Sequence, residues 1–217
     1  MASVDYSEIY KLQDKILKNV YENENEFYLT GGTCLHRFYI NERYSDDLDF
    51  FTNQSKRFNI AVKKVKIELQ KPFNVKAIIE SKDFNRYLIE NILQIDFVND
   101  VSARCGDVRI NKDGYILDSI ENIAGNKIST IIGRDEAKDV FDVFAIDKHF
   151  NLDWAKIIEC AREKTSFGIE DLLARLKTFP LELLEKITVV NEDILEDFKN
   201  NYKKLIIKIE KQAESLE

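Results

Sequence analysis

Proline and glycine are scarce in this chain, with two prolines and seven glycines among 217 residues. Such a composition leaves little room for flexible linkers or low-complexity segments. Because 44% of the residues are hydrophobic and 33% are charged, the chain can bury a sizeable core, as one domain or as a compact pair. No uninterrupted apolar stretch approaches the roughly 20 residues that span a bilayer, so we expect no membrane partner.

Cysteine and histidine are also rare. Cys34, Cys105 and Cys160 are scattered and lie outside any CxxC spacing, which predicts reduced thiols rather than a disulfide framework or a zinc site. His36 and His149 have no partner at metal-ligand spacing, so we expect them to be surface or packing residues. The N-terminus lacks a basic region followed by an apolar run, which favours a cytoplasmic location.

The net charge of −7 argues against a surface that is basic throughout, as tightly binding nucleic-acid domains usually have. Two local clusters of basic residues depart from this balance. Both are read either as basic patches or as ordinary solvated helix faces. Their members are Lys56, Arg57, Lys63, Lys64 and Lys66, and then Lys199, Lys203, Lys204, Lys208 and Lys211.

Hydrophobic periodicity divides the chain near residue 118 into an α/β half, 1–118, and a helical half, 119–217. In the first half, helical spacing alternates with short apolar or alternating runs. This pattern predicts helices over 6–20, 33–40 and 58–69, and strands over 27–29, 47–52, 73–79, 87–90 and 93–98. The second half shows only helical spacing, over 119–132, 135–149, 154–164, 169–177 and 191–215.

A glycine pair, Gly31 and Gly32, follows the first predicted strand and precedes a predicted helix. Backbone N–H groups at such a turn can bind phosphate oxygens, although a glycine pair by itself more often marks only a tight turn. Thr33 and Ser45 are candidate ligands nearby, or simple caps.

Two acids, Asp47 and Asp49, stand at i and i+2 in the second predicted strand, so they share a face about 6–7 Å apart. Their mutual repulsion calls for a cation, and hard oxygen ligands favour Mg²⁺ or Mn²⁺. The alternative is an exposed sheet edge made soluble by acids. Asp96, on another strand, would supply a third carboxylate as ligand or base, and two ions about 3.5–4 Å apart would then support in-line transfer. Alone, it would be an exposed strand acid.

Cations follow in the helical half. Arg134, Lys138 and Asp142 stand at i, i+4 and i+8, which predicts one polar stripe on a helix. The same spacing also describes ordinary ion pairing on a solvated helix. Ala137, Val140, Phe141 and Phe144 are predicted to form the buried side of this helix.

These motifs together resemble the AbiEii/AbiGii nucleotidyltransferase toxin family, within the DNA polymerase β-like superfamily. The resemblance covers roughly residues 27–150. It rests on Gly31-Gly32-Thr33, Arg43, Ser45, Asp47-Leu48-Asp49-Phe50-Phe51, Ile95-Asp96-Phe97, Lys127, Arg134 and Lys138-Asp139-Val140-Phe141-Asp142. The helix after the glycines departs from the family's small apolar residues, since it carries Cys34, His36, Arg37, Phe38 and Tyr39, so substrate contacts there are expected to differ.

The resemblance implies an α+β fold, with a mixed nucleotidyltransferase sheet and flanking helices, followed by a C-terminal helical bundle that completes the active-site cleft. It implies catalytic roles for Asp47, Asp49, Asp96 and Lys127, with the three aspartates as metal ligands. The implied nucleotide-binding residues are Gly31, Gly32, Thr33, Arg43, Ser45, Arg134, Lys138, Asp139 and Asp142.

The implied activity is metal-dependent transfer of an NMP from an NTP to a hydroxyl of RNA, tRNA in particular, or of protein, with release of pyrophosphate. Such an enzyme would be the toxin of a toxin–antitoxin or phage-defence pair, with a cognate antitoxin as partner. Two alternatives stay open at this point: transfer to a small hydroxylated molecule, as in aminoglycoside nucleotidyltransferases, and a nucleotide-binding module without turnover. Oligomeric state is left undetermined.

Overall fold

A computed structural model of the chain describes residues 5–216, except the side chain of residue 215. The N-terminal residues 1–4, which enter the expectation of no targeting segment, lie outside this range. Within it, the helices are α1 Tyr6–Asn23, α2 Gly31–Phe38, α3 Phe58–Gln70, α4 Ile120–Gly133, α5 Ala137–His149, α6 Trp154–Lys164, α7 Ile169–Lys177 and α8 Asp193–Ala213. Two short 3₁₀ helices cover Leu181–Lys186 and Glu214–Leu216. No helix among the described residues is both long and apolar enough to cross a membrane.

The strands form one seven-stranded mixed sheet with the order β3-β4-β5-β2-β1-β7-β6. They are β1 Tyr28–Thr30, β2 Asp47–Asn53, β3 Val75–Glu80, β4 Phe84–Ile89, β5 Leu93–Asp100, β6 Arg109–Ile110 and β7 Ile116–Leu117. The β2–β5 and β1–β7 pairs are parallel, and the other pairs are antiparallel. The predicted mixed sheet with flanking helices and a following helical region is confirmed.

The chain packs as two compact units. The sheet unit comprises the described part of residues 1–39 together with 45–102 and 108–118, and the helical unit comprises 40–44, 103–107 and the described part of 119–217. Two short segments that precede residue 118 therefore pack with the later helices. The sequence shows no periodic signal in either segment that would assign it to the helical unit.

Aromatic residues form the core of the sheet unit directly behind the acidic strands. Phe50 of β2 and Phe97 of β5 stack with ring centroids 5.2 Å apart, and Phe27 meets Phe97 edge-on at 4.9 Å. Leu48 and Phe50 are fully buried, as their alternation with Asp47 and Asp49 predicts. Burial of one face therefore fixes which way the acids on the other face point.

The helical unit has a separate core centred on α8. Phe198 stacks on Tyr202 with ring centroids 4.5 Å apart and contacts Phe144 of α5 at 4.7 Å. Trp154, the single tryptophan of the chain, is fully buried at the start of α6. Its indole N–H donates to Asp147 Oδ1 at 2.8 Å.

The expectation of three reduced cysteines is wrong for two of them. Cys105 and Cys160, both in the helical unit, form a disulfide with their Cα atoms 6.1 Å apart, an ordinary separation for such a bond. Fifty-five residues separate the two cysteines, so their pairing depends on tertiary packing rather than on local spacing. Cys34 remains a free, buried thiol, and burial raises its pKa well above the usual value, which makes it a poor nucleophile.

Candidate active site

The glycine turn lies directly against one of the paired acids. Gly31 has φ +72°, a left-handed conformation that favours glycine, and it begins α2. A Cβ on Gly31 would overlap Asp49 Oδ2 and lie 3.2 Å from Asp49 Cγ. The helix starts at Gly31, two residues earlier than the periodicity predicted. A glycine is required at position 31 because a side chain there would be strained at positive φ and would collide with Asp49.

Three side chains hold the start of β2, where the acids begin. The Thr33 hydroxyl donates to the Asp47 carbonyl at 2.6 Å, and the buried Gln13 side-chain amide donates to the carbonyls of Asp47 at 3.2 Å and Ser45 at 3.0 Å. The Ser45 hydroxyl donates to Asp47 Oδ1 at 3.3 Å. Thr33 thus positions the strand backbone, whereas Ser45 contacts the carboxylate itself.

Asp96 is brought beside the first two acids by strand pairing. In the parallel β2–β5 register, Asp96 is the partner of Asp49, so both carboxylates lie on the same face of the sheet. The register therefore places the acids of the two strands on one face, and their predicted convergence on a metal ion stays a prediction. The carboxylate of Asp96 is already engaged, because Arg86 on β4 donates to it twice, from Nε at 2.8 Å and from Nη2 at 2.6 Å.

Arg86 interacts electrostatically with all three acids. Its pKa is raised chiefly by the hydrogen bonds to Asp96, which outweigh burial of the guanidinium, and the charges of Asp49 and Asp47 add to the rise. This face of the sheet therefore attracts a cation. Among the described residues, no three side chains of His, Cys, Asp or Glu stand in an arrangement that could hold a metal ion. The donor chemistry fits Mg²⁺ or Mn²⁺, and the carboxylate of Asp96 is shared with a guanidinium.

Five other predicted site residues, Arg43, Lys127, Arg134, Asp139 and Asp142, form a charge cluster in the helical unit, and all of them except Arg134 are buried. Lys127 Nζ lies 2.8 Å from Asp139 Oδ1 and 2.7 Å from Asp142 Oδ2. Arg134 Nε donates to Asp139 Oδ2 at 2.7 Å. Arg43, from segment 40–44, donates to both Asp142 oxygens, from Nε at 2.7 Å and from Nη2 at 2.8 Å. Each buried aspartate is thus bonded to two cations.

Mutual pairing keeps this cluster ionised despite its burial. Burial by itself would lower the pKa of Lys127, but Asp142 and Asp139 outweigh it and the pKa is raised. Burial likewise would raise the pKa of Asp139, but Lys127 and Arg134 outweigh it and the pKa is lowered. The predicted orientation of cations by Asp139 and Asp142 agrees with these contacts.

The predicted single stripe of Arg134, Lys138 and Asp142 is wrong. Arg134 follows the end of α4 and caps it, whereas Lys138 and Asp142 belong to α5, which begins at Ala137. Asp142 is fully buried, and Lys138 is half-buried without an ion pair among residues 5–216. The prediction assumed one continuous helix, but the chain leaves the helical conformation between Gly133 and Ala137, where the sequence has no proline. The predicted buried side of α5 is confirmed.

Arg86 and Gln13 were not predicted as site residues. Both carried a weak signal: Arg86 is a lone cation within the strand pattern Phe84–Ile89, and Gln13 is a polar residue four positions after the buried Ile9 of α1. Their contacts with the acidic strands depend on strand order and on where α1 packs, and hydrophobic periodicity predicts neither of these.

The first cluster of basic residues is largely neutralised. Arg57, Lys64 and Lys66 each form an ion pair with a glutamate of the sheet unit. In the second cluster, Lys208 pairs with Asp147 at 2.6 Å. The paired members are therefore engaged by acidic side chains rather than free to bind phosphate.

A sheet with a glycine turn and paired acids is typical of nucleotidyltransferases, and this protein is an enzyme of that class. The model of the family "Nucleotidyl transferase AbiEii toxin, Type IV TA system" matches residues 15–215, and the chain belongs to this family. The family implies an NTP substrate, an antitoxin partner and, in most members, a divalent metal.

Similar proteins come from three named organisms. An uncharacterised protein of Aquifex aeolicus (strain VF5) is 26% identical over 186 residues, which cover 84% of this chain and 89% of that protein. JHP933 from Helicobacter pylori has a TM-score of 0.58 at 22% identity, covering 100% of this chain and 98% of its own. MenT4, a nucleotidyltransferase toxin from Mycobacterium tuberculosis H37Rv, has a TM-score of 0.55 at 15% identity, covering 97% and 93%. The two solved structures show that the fold is shared.

Proposed function

We propose that this enzyme transfers an NMP from an NTP to a hydroxyl of RNA, tRNA in particular, or of protein, and that it acts as the toxin of a toxin–antitoxin or phage-defence pair. One observation carries the chemistry: Gly31, at the N-terminus of α2, lies against Asp49, and Asp49 is in register with Asp96. A turn whose backbone N–H groups are suited to phosphate is thus adjacent to an acidic face within the sheet unit.

In the proposed reaction, the acceptor oxygen forms a bond to the α-phosphorus while the bond from that phosphorus to the pyrophosphate oxygen breaks. Asp96 takes the proton of the acceptor hydroxyl, or it serves as a third metal ligand and the proton passes to solvent; in both cases pyrophosphate leaves with the electron pair of the broken bond. Asp47 and Asp49 would hold a divalent ion, which when bound neutralises phosphate oxygens. The backbone N–H groups at Gly31 and Gly32 would bind phosphate oxygens, so catalysis is mainly positioning and charge neutralisation.

The remaining candidate phosphate-binding cations lie within the helical unit. Lys127 is bonded to two buried carboxylates, which supports a positioning role rather than direct contact with substrate. The side chain of Arg134 is about half exposed, at 49%, although its partner Asp139 is buried. Arg134 and Lys138 are therefore our candidates for binding phosphate oxygens, and Arg43 holds Asp142 in place.

The test is label transfer. Purified protein is incubated with each α-labelled NTP, Mg²⁺ or Mn²⁺ and total tRNA, and the products are separated on a denaturing gel. We expect label on RNA, and we expect Asp47→Asn to lower it by at least about a hundredfold, the scale of losing one group that stabilises transition-state charge. Asp46→Asn is the matched control, because Asp46 is the exposed neighbouring acid and should retain activity.

Other outcomes redirect or refute the proposal. Label on protein would identify a protein acceptor, and label on an added small hydroxylated compound alone would replace the macromolecular acceptor with a small one. NTP binding without release of pyrophosphate, in wild-type protein whose fold is confirmed by circular dichroism, would refute transfer and favour a binding module.

A further inference from the structure

A positively charged side chain lies among the acids that the reaction needs. The Asp96 carboxylate accepts two hydrogen bonds from Arg86, at 2.8 Å and 2.6 Å, the fork geometry in which guanidinium binds carboxylate most strongly. The antiparallel register pairs Arg86 of β4 directly with Asp96 of β5, so the contact is built into the sheet. It is a cross-strand pair rather than a chance meeting of two long side chains.

The position of Arg86 allows its side chain to move away from Asp96 while its backbone remains hydrogen-bonded in the sheet. β4 lies between β3 and β5 in the sheet, so its backbone is hydrogen-bonded on both sides. The side chain of Arg86 is 34% exposed, whereas that of Asp96 is 9% exposed. A flexible side chain on a fixed strand can therefore swing into solvent without unfolding the site.

The Arg86–Asp96 ion pair reduces the net negative charge of the acidic face. Asp47, Asp49 and Asp96 carry three negative charges on one face, and the single positive charge of Arg86 offsets part of them. Asp96 is in register with Asp49, on the face that Asp47 shares, so the guanidinium bonded to Asp96 lies among all three acids. The guanidinium occupies the electrostatic role that a divalent ion would fill.

We propose that Arg86 is the resident counter-cation of the acidic face and competes with a divalent metal for Asp96. This inference rests on the proposed function. While Arg86 holds Asp96, that carboxylate is positioned and ordered but not available as a third ligand; when the guanidinium releases it, Asp96 becomes available and Arg86 is left free for an anionic group. Arg86 is thus a positioning residue that sets the metal concentration at which the site becomes complete.

The test measures metal binding without NTP, so it does not depend on turnover. Mn²⁺ is titrated into the full chain and free Mn²⁺ is followed by electron paramagnetic resonance. We expect Arg86→Gln to bind Mn²⁺ on the order of tenfold more tightly than wild type, equivalent to about 1.4 kcal/mol. Arg86→Lys, which keeps the charge but loses the fork, should fall between them.

Two controls isolate the cause. Arg57→Gln removes another ion-paired arginine of the sheet unit, whose partner is Glu26, and should leave Mn²⁺ affinity unchanged. The double variant Arg86→Gln/Asp96→Asn should lose the gain, because the gain requires the released carboxylate. In the transfer assay, Arg86→Gln should lower the Mn²⁺ concentration for half-maximal rate, a change that a purely structural role would not produce.

Each contrary outcome has a distinct meaning. Unchanged or weaker Mn²⁺ binding by folded Arg86→Gln, with clear binding by wild type, overturns this inference and leaves the proposed function standing. Tighter binding by Arg86→Gln in a protein that transfers no label supports the inference and refutes the proposed function. Absence of Mn²⁺ binding by both proteins overturns the competition and the metal dependence together.

Discussion

Substitution of Asp142 should markedly destabilise the helical unit. Asp142 is fully buried, it accepts from Arg43 at 2.7 Å and 2.8 Å, and it lies 2.7 Å from Lys127. Asp142→Asn removes one negative charge and changes the volume little. Arg43 and Lys127, which are also buried, would then lose half or more of their compensation.

The expected cost follows from leaving these cations without a carboxylate. Removing one partner of a buried ion pair costs about 3–5 kcal/mol, against total stabilities of about 5–15 kcal/mol. For a urea m-value of about 2 kcal/mol/M, the midpoint of unfolding should fall by roughly 2 M. We expect the variant to be folded in dilute buffer and markedly easier to unfold.

Fluorescence of Trp154 is the assay, because it is the single tryptophan and lies buried in the same unit. Asp197→Asn is the control: Asp197 pairs with Lys148 at 2.7 Å, but both side chains are about one third exposed, so the cost should be at most about 1 kcal/mol. If the free energy of unfolding of Asp142→Asn lies within about 1 kcal/mol of that control, the reasoning about the buried cluster is refuted.

The remaining predictions concern the glycine turn and the cysteines. Gly31→Ala and Gly114→Ala both place alanine at positive φ, +72° and +82°, which costs about 1–2 kcal/mol of stability in each variant. The two positions differ in their surroundings: Gly31 lies against Asp49, whereas a Cβ on Gly114 would meet nothing within 4 Å. We therefore expect label transfer to be lost in Gly31→Ala and retained in Gly114→Ala, and equal activity of the two would contradict the role of the turn. Titration with a thiol reagent in denaturant should detect one thiol, that of Cys34, before reduction and three after it. Three thiols before reduction would disprove the disulfide.

Local pattern was sufficient for the acidic strand. Alternation over 47–52 placed Asp47 and Asp49 on one face and Leu48 and Phe50 in the core, and the structure confirms the strand and its buried side. Helical periodicity similarly found α6 and α7 with their ends, because Asp153 and Gly168 mark their starts and a buried apolar face runs their length. These features depend on neighbours a few residues apart, which a sequence displays directly.

Tertiary structure decided the contacts between distant segments. The register that sets Asp49 beside Asp96, the Arg86 guanidinium on Asp96, and the Arg43–Asp142 pair across 99 positions all depend on strand order and on which helices pack together. The same holds for Cys105 and Cys160. The alternation of a strand states which face a residue takes, but not which strand lies next to it. The face on which each acid lies could therefore be predicted from the sequence, whereas the cation that each carboxylate contacts depends on how the strands and helices pack together.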